Sequence, residues 1–229
     1  MKPIPSAFIA LAILAGVVPS APAQIAQGSH AIAQLGDAKA IAASLRVGGN
    51  VILVRHGATF SDQADTEPFN LADVSKQRNL NDKGKELARA FGAAIRSAGV
   101  PVGEVYTSQF NRAYETAVLA GFQYIETTAD LTEGGLVVTP NENTRRAKAL
   151  RDMLATPPKA GDNNILITHK PNIVDALGND WFDVREGEAS IFKPHEWSVA
   201  TRLSHPTHDG ATARHVGQSQ RSHRSIENA

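Results

Sequence analysis

An α/β fold is predicted here, a three-layer α/β/α sandwich around a mostly parallel central sheet, and three observations predict it. Two short segments, Asn50 to Val54 and Asn164 to Thr168, carry apolar and β-branched residues at consecutive rather than alternating positions. That is the pattern of strands covered on both faces, as in a parallel sheet. Helical stretches lie between them, and His56 comes one residue after the first run while His169 follows the second directly. Ligand sites in wound sheets gather at the carboxyl ends of strands, so these two histidines are the first candidates for function.

Taken in order, the chain opens with Lys2, an apolar run from Ala7 to Val18, and the small triplet Ala21-Pro22-Ala23. This is the layout of a secretory signal peptide over residues 1–23, with cleavage after Ala23 and a periplasmic or secreted destination. The apolar run is shorter than the roughly 20 residues that cross a bilayer, so no stable membrane insertion is expected after cleavage. Residues 24–36 are Ala/Gln-rich and read as a flexible segment, and residues 37–204 as the folded domain. A short helix is expected from Asp37 to Leu45, ended by Gly48-Gly49. The first strand, Asn50 to Val54, then delivers Arg55-His56-Gly57.

Ser61 to Asn79 is polar and without period, a loop of the length that covers sites. Asn81 caps the next helix, whose Leu87, Phe91 and Ile95 form one stripe for the sheet and leave Lys83, Lys85 and Arg89 largely to solvent. Gly99 and Pro101 end it. Val102 to Tyr106 is a second strand, and Phe110 to Leu119 a helix with Arg112 in its first turn. A helix from Asn143 to Leu154 precedes the strand ending at His169, and Pro171 suits the first turn of another helix. Ala189 to Pro194 and Trp197 to Leu203 are expected as edge strands. Residues 205–229 are apolar-poor and read as a disordered tail.

Composition excludes several chemistries. The 23 basic and 23 acidic residues balance, which gives no basic excess for a nucleic-acid partner. Cysteine is absent, so disulfides, thiolate metal ligands and a cysteine nucleophile are impossible. The chain has neither a Gly-rich phosphate loop with its lysine nor a His-Glu-x-x-His zinc motif, and nothing in it calls for a metal or cofactor. His195, His205, His208, His215 and His223 cluster late in the sequence and either bind a transition metal or simply decorate a flexible tail.

What remains is a set of residues suited to a phosphoryl group, which needs cations and donors around its oxygens, an in-line nucleophile and a proton for the leaving oxygen. Val54-Arg55-His56-Gly57-Ala58-Thr59 resembles the Arg-His-Gly signature of the histidine phosphatase superfamily, in its phosphoglycerate mutase-like branch. Asn79-Leu80-Asn81-Asp82-Lys83-Gly84 is similar to the family's lead into its first long helix. Thr107 to Ala117 is similar to its Ser-x-x-x-Arg-Ala-x-x-Thr-Ala segment, and Ile167-Thr168-His169 matches the second histidine.

The resemblance implies a phosphoglycerate mutase-like fold and a metal-independent phosphatase acting on a small phosphorylated substrate. His56 would be the nucleophile that becomes phosphorylated, and Arg55, Arg112 and His169 would hold the phosphoryl oxygens. Arginine suits these places because its planar fork donates two hydrogen bonds without losing its charge. Neighbouring cations disfavour protonation of His56 and keep its lone pair free. For the proton donor, Glu133 is the nearest match and a solvated loop glutamate the alternative, with Glu126 and Asp130 as reserves. Thr59 either donates to a phosphate oxygen or stabilises its turn. Arg78 either contacts a second anionic group of the substrate or is a solvated loop residue.

The sequence departs from the better-known pattern at Asp62, where many members place Asn. A carboxylate there would repel phosphate, so Asp62 points away or the loop is built differently. Lys170 follows His169, and Arg-x-Pro does not follow Gly57; both absences argue against the acid phosphatase branch. Two other functions fit the same residues: a catalytically weak phosphate-binding module of the cell envelope, and a protein phosphohistidine phosphatase, whose leaving nitrogen demands less of an acid.

Overall fold

The computed structural model describes residues 39–134, 138–194 and 198–203. The expected signal peptide, the segment 24–36, the tail 205–229 and the late histidines lie outside the described residues. Within them, helix α1 spans 39–47, and strand β1 runs Val51–Arg55. Helix α2, Asp82–Ser97, leads to β2, Val102–Ser108, and α3, Asn111–Ala120, leads to β3, Ile125–Thr128. Helix α4, Pro140–Ala155, precedes β4, Asn163–Thr168. Helix α5, Lys170–Leu177, is followed by β5, Ala189–Lys193, and β6, Ser198–Leu203.

Among the described residues the sheet has the order β3-β2-β4-β1-β5-β6. The first four strands are mutually parallel, and β5 and β6 are antiparallel additions. Right-handed crossovers explain which face each helix takes. The chain steps from β1 to β2 to β3 in one direction through α2 and α3, then turns back through α4 to insert β4 between β1 and β2. Helices met while stepping one way therefore cover one face, and α4 covers the other.

The two apolar strand runs follow from this arrangement. Ile52 and Val54 of β1 join Ile165 and Ile167 of β4 in one core with Ile95, Ala113 and Ala117. Val51, Leu53 and Leu166 point into the opposite core, with Leu150, Leu154 and Ile173. Every residue of such a strand meets apolar neighbours, which is why neither run alternates.

Three expectations need correction. The strand at Ala189 is not an edge, because β5 lies between β1 and β6. Helix α4 begins three residues before Asn143: Thr139 caps it by accepting from the Glu142 backbone N–H, with Pro140 in the first turn. In α2 the buried stripe is Gly84, Ala88, Gly92 and Ile95. Leu87 and Phe91 are half-buried at its margin, Leu87 against Gly187 and Phe91 edge-on to Phe122, ring centroids 5.9 Å apart. Small residues face inward because α2 packs backbone to backbone against its neighbours.

That closeness makes glycine obligatory at two points of the motifs. A Cβ on Gly57 would collide with the backbone of Gly84, and one on Gly84 with the backbone of Ala58. The turn after His56 and the start of α2 thus lock together. Gly92 meets the Ala120 carbonyl in the same way. In an exposed helix, Gly→Ala stabilises by about 1 kcal/mol. Gly92→Ala is instead expected to destabilise the protein by about 1–3 kcal/mol, read as a lower midpoint in urea denaturation; a raised midpoint would contradict this packing.

Candidate active site

Parallel pairing of β1 with β4 brings the two histidines together. Arg55 is in register with Thr168, and the next residues out of each strand are His56 and His169. The His56 backbone N–H donates to the Thr168 carbonyl at 3.0 Å, and the two imidazole centroids lie 5.0 Å apart, edge to face. Strand β2, on the other side of β4, ends at Ser108 and turns into α3, whose first turn brings Arg112 against His169.

Each imidazole has its tautomer set by its partners. His56 Nδ1 lies 2.7 Å from the Gly57 carbonyl oxygen, which only accepts, so Nδ1 carries the proton and Nε2 keeps the lone pair. At His169, Arg112 Nε donates to Nδ1 at 3.2 Å, so Nε2 carries the proton and donates to Ser108 Oγ at 2.7 Å. Ser108 Oγ passes its own proton toward Thr132 Oγ1 at 3.2 Å, and Thr132 donates to the Thr128 carbonyl at 2.9 Å. One directional chain of donors thus orients His169 from behind.

Both rings are buried, His56 2% exposed and His169 0%. Burial is the main cause that pulls the His56 pKa down to about 3, with Arg112 the next. His169 lies well below its ordinary value for the same two causes in the same order. The expectation that cations keep His56 neutral is therefore correct in direction, but loss of water contributes more than the neighbouring charges. Burial likewise lowers the pKa of Arg55, against the raising effect of Glu186.

Arg112 is fully buried and densely paired. Its Nη2 donates to Glu133 Oε1, and its Nη1 to Asp65 Oδ1 at 2.9 Å and the Arg78 carbonyl at 3.4 Å. Its Cζ sits 4.3 Å over the Phe110 ring. Arg55 Nη1 donates to the Val184 carbonyl at 2.8 Å and Nη2 lies 3.5 Å from Glu186. Among the described residues, Arg55 Nε and Arg78 Nε are buried donors with no hydrogen-bond partner. Both guanidinium groups act electrostatically on both histidines. Unpaired donors beside two neutral imidazoles suit a multivalent anion.

The structure thus gathers His56, His169, Arg55, Arg112, Glu133 and Arg78 into one site. Glu133 Oε1 is 3.7 Å from His169 Nδ1 as well as paired with Arg112. Thr59 is placed by its backbone, through a bridge to Leu80 and an Asn81 side chain donating to its carbonyl, which accords with the turn role. The reserve acids lie elsewhere: Asp130 pairs with Arg145 at 2.7 Å, and Glu126 is exposed on β3.

Asp65 is the residue that sequence reading does not single out. Asp62, the position in doubt, is exposed. Three residues later Asp65 turns inward, accepting from both Arg112 and the Arg78 backbone N–H at 2.9 Å each. The loop that carries it is held by contacts between side chains and backbone, such as Gln77 Nε2 to the Leu71 carbonyl and Asn79 N–H to Gln63 Oε1. Gln77 Oε1 in turn accepts from the Asn111 N–H at the start of α3. No periodic signal reports such contacts.

Residues 51–139 match the family model described as "Histidine phosphatase superfamily (branch 1)". The match contains His56, Arg112 and Glu133 and stops before His169. Among solved structures, the chain is similar to TTHB049 from Thermus thermophilus, at 21% identity and a TM-score of 0.42, covering 62% of this chain and 92% of that one. It is similar to the protein histidine phosphatase SixA complexed with tungstate, at 18% identity, TM-score 0.42, covering 62% and 86%. It is also similar to the mycobacterial glucosyl-3-phosphoglycerate phosphatase Rv2419c complexed with VO3, at 15% identity, TM-score 0.44, covering 63% and 92%. No curated protein matches the chain.

Two measurements check this geometry. A histidine held below its unfolded pKa of about 6.5 binds fewer protons when folded, so stability is complete above that pH and falls as pH drops toward the folded value. The His56 contribution is lost as pH falls from about 6.5 toward about 3. His56→Asn should flatten the fall of unfolding free energy with pH between about pH 5 and 6, by at most the slope of one proton, and an unchanged slope would contradict the burial argument. Asp65 shares Arg112 with any incoming anion, so Asp65→Ala should tighten inhibition by vanadate about tenfold, the worth of one charge-assisted hydrogen bond. Weaker inhibition would show that Asp65 supports anion binding rather than competing with it.

Proposed function

We propose, from that superfamily match and the paired histidines, that the chain is a phosphatase that hydrolyses a phosphomonoester through a phosphohistidine on His56. The observation that carries the reading is the His56 tautomer. With Nδ1–H committed to the Gly57 carbonyl, the Nε2 lone pair is the one free to attack phosphorus, and its low pKa keeps it unprotonated at neutral pH.

In the first step His56 Nε2 bonds to phosphorus while the bond to the leaving oxygen breaks. Arg112 and Arg55 take the equatorial oxygens, with Arg78 able to add a further donor. A dianion beside His169 favours uptake of a proton from solvent at Nδ1; Arg112 Nε, which donates to that nitrogen in the free site, then turns to the phosphoryl group, and both donate to its oxygens. The carboxylates on Arg112 must give way to the phosphoryl group. Glu133, released from Arg112 and protonated from solvent beside the incoming dianion, gives that proton to the leaving oxygen, and as a carboxylate it then takes a proton from the water that attacks the phosphohistidine. Inorganic phosphate leaves and His56 is restored.

The proposed setting is outside the cytoplasm, on the strength of residues 1–23, with a small phosphorylated substrate as partner and no metal in the reaction. One observation favours a second reading. Glu133 is ion-paired with Arg112 rather than held as a free acid, which suits a leaving group that needs little acid help, such as the imidazole of a phosphohistidine on a protein. A phosphate-binding module without turnover is a third reading, and assay separates it from both.

Turnover of an aryl phosphate without added metal is expected, and His56→Ala should abolish it to below about one part in a thousand. Absence of turnover with any phosphoester would remove the phosphomonoesterase reading, and absence with a phosphohistidine peptide as well would leave only the binding module. Glu133→Gln should slow an alkyl phosphate about 100-fold, within the range of general acid catalysis, and an aryl phosphate far less, because phenoxide leaves without a proton. Equal losses on both would remove Glu133 as the donor.

A further inference from the structure

On the other side of Glu133 from Arg112 and His169, a cavity opens among the described residues. It measures about 100 Å³ and lies between α4 and α5, with Glu133, Asn143, Arg146, Asn172 and Asp175 on its walls. It adjoins an open groove of about 610 Å³ with which it shares Asn143, Ala147 and Asp175. We propose that this cavity is the subsite for the alcohol half of the ester and that it takes an uncharged polyhydroxylated group, a sugar or polyol. The proposal rests on the phosphatase reading and names its substrate class.

The argument begins with Asn172, which is only 6% exposed. Its Nδ2 donates to the Thr132 carbonyl at 3.2 Å, which fixes the orientation of the amide. Its Oδ1 is then a buried acceptor with no hydrogen-bond partner among the described residues. Buried acceptors are normally satisfied, and leaving one unmade is costly, so a hydroxyl donated from a ligand is the chemistry the site lacks. The partner on Nδ2 belongs to the residue before Glu133, so Oδ1 is held at a set place beside the proposed proton donor. Gly134 completes that wall: a Cβ there would overlap Val138 and the Asn143 side-chain oxygen, so Asn143 sits directly against the backbone that follows Glu133.

The charge of the cavity narrows the ligand. Arg146 is its cation, and it is already committed, Nε to Glu142 at 2.8 Å and Nη1 to the Thr132 carbonyl at 2.7 Å. Glu133 and Asp175 are both acidic. Inside the cavity a second phosphate or carboxylate on the leaving group would meet these carboxylates beside a cation already paired, and an alkyl group would seal Asn172 Oδ1 from water; Arg151, on the wall of the adjoining groove, donates to the Ala176 carbonyl at 3.1 Å. A hydroxylated chain supplies donors to Asn172 and Asp175 and accepts from the Asn143 amide. At about 30 Å³ per water the small cavity has room for about three waters, enough for one or two carbinol units, with the rest of a sugar in the adjoining groove.

The test compares two alkyl esters of equal chain length on the full mature protein: a hexose 6-phosphate and n-hexyl phosphate, with p-nitrophenyl phosphate as the reference. The expected result is a kcat/KM at least about tenfold higher for the hexose ester than for the hexyl ester, one hydrogen bond to a buried acceptor being worth that much. Asn172→Ala and Asp175→Ala should each lower this ratio about three- to tenfold through the KM of the hexose ester. Asp175 is exposed, so its variant decides the matter if the Asn172 variant fails to fold. A hexyl ester turned over as well as the hexose ester, or a ratio untouched by both substitutions, would overturn the subsite while p-nitrophenyl phosphate turnover preserves the phosphatase. No turnover of any of the three esters would remove the phosphomonoesterase reading and this one with it.

Discussion

A guanidinium group with no exposure to water is the constraint around which this site is built. Isolating such a charge costs several kcal/mol unless it is paired and hydrogen-bonded on every side, and Arg112 obtains its partners from separate parts of the chain. The loop after β1 supplies Asp65 and the Arg78 carbonyl, the segment after β3 supplies Glu133, the end of β4 supplies His169, and Phe110 supplies its ring face. The structure shows carboxylates neutralising Arg112. The proposed chemistry requires a phosphoryl group to take their place, and its oxygens would carry the charge that the departing carboxylates remove.

The sheet makes this arrangement possible at low conformational cost. Three adjacent parallel strands, β1, β4 and β2, end on one level, and each leads directly into residues of the site. Strand pairing alone therefore brings the two imidazoles side by side. Hydrogen bonds then fix their tautomers, the Gly57 carbonyl on one and the Ser108 hydroxyl relay on the other. The glycine after His56 has a packing reason too, since Gly57 and Gly84 interlock and admit no side chain.

Much of this is legible in the sequence because it is local or periodic. Unbroken apolar runs announce β1 and β4 as doubly covered strands, the histidines follow them directly, and Asn81 announces α2 and caps it by accepting from the Gly84 N–H. Arg112 is placed by its position in the first turn of a helix. Other parts are not local. Strand β3 has one apolar residue, Ile125, among four, and it exists because β2 offers it a parallel edge. The inward stripe of α2 is made largely of glycine and alanine, which carry little hydrophobic signal and are buried by closeness of approach. Asp65 is invisible for a different reason: its direction is set by a loop whose turns are held by Gln63, Gln77 and Asn79 side chains rather than by any repeating pattern. The start of α4 stands between these cases, since Thr139, Pro140 and Glu142 form a capping signal that apolar period alone overlooks.

In the proposed division of the ester, the charge goes to the Arg112 side of Glu133 and the hydroxyls to the Asn172 side. Everything in that division depends on a tetrahedral anion displacing Asp65 and Glu133 from Arg112 and meeting His56 Nε2. A crystal structure with orthovanadate tests this directly. The account predicts vanadium bonded to His56 Nε2, its oxygens on Arg55, Arg112 and His169, and Asp65 withdrawn from Arg112. Vanadate bound elsewhere, with Asp65 and Glu133 still on Arg112, would contradict it.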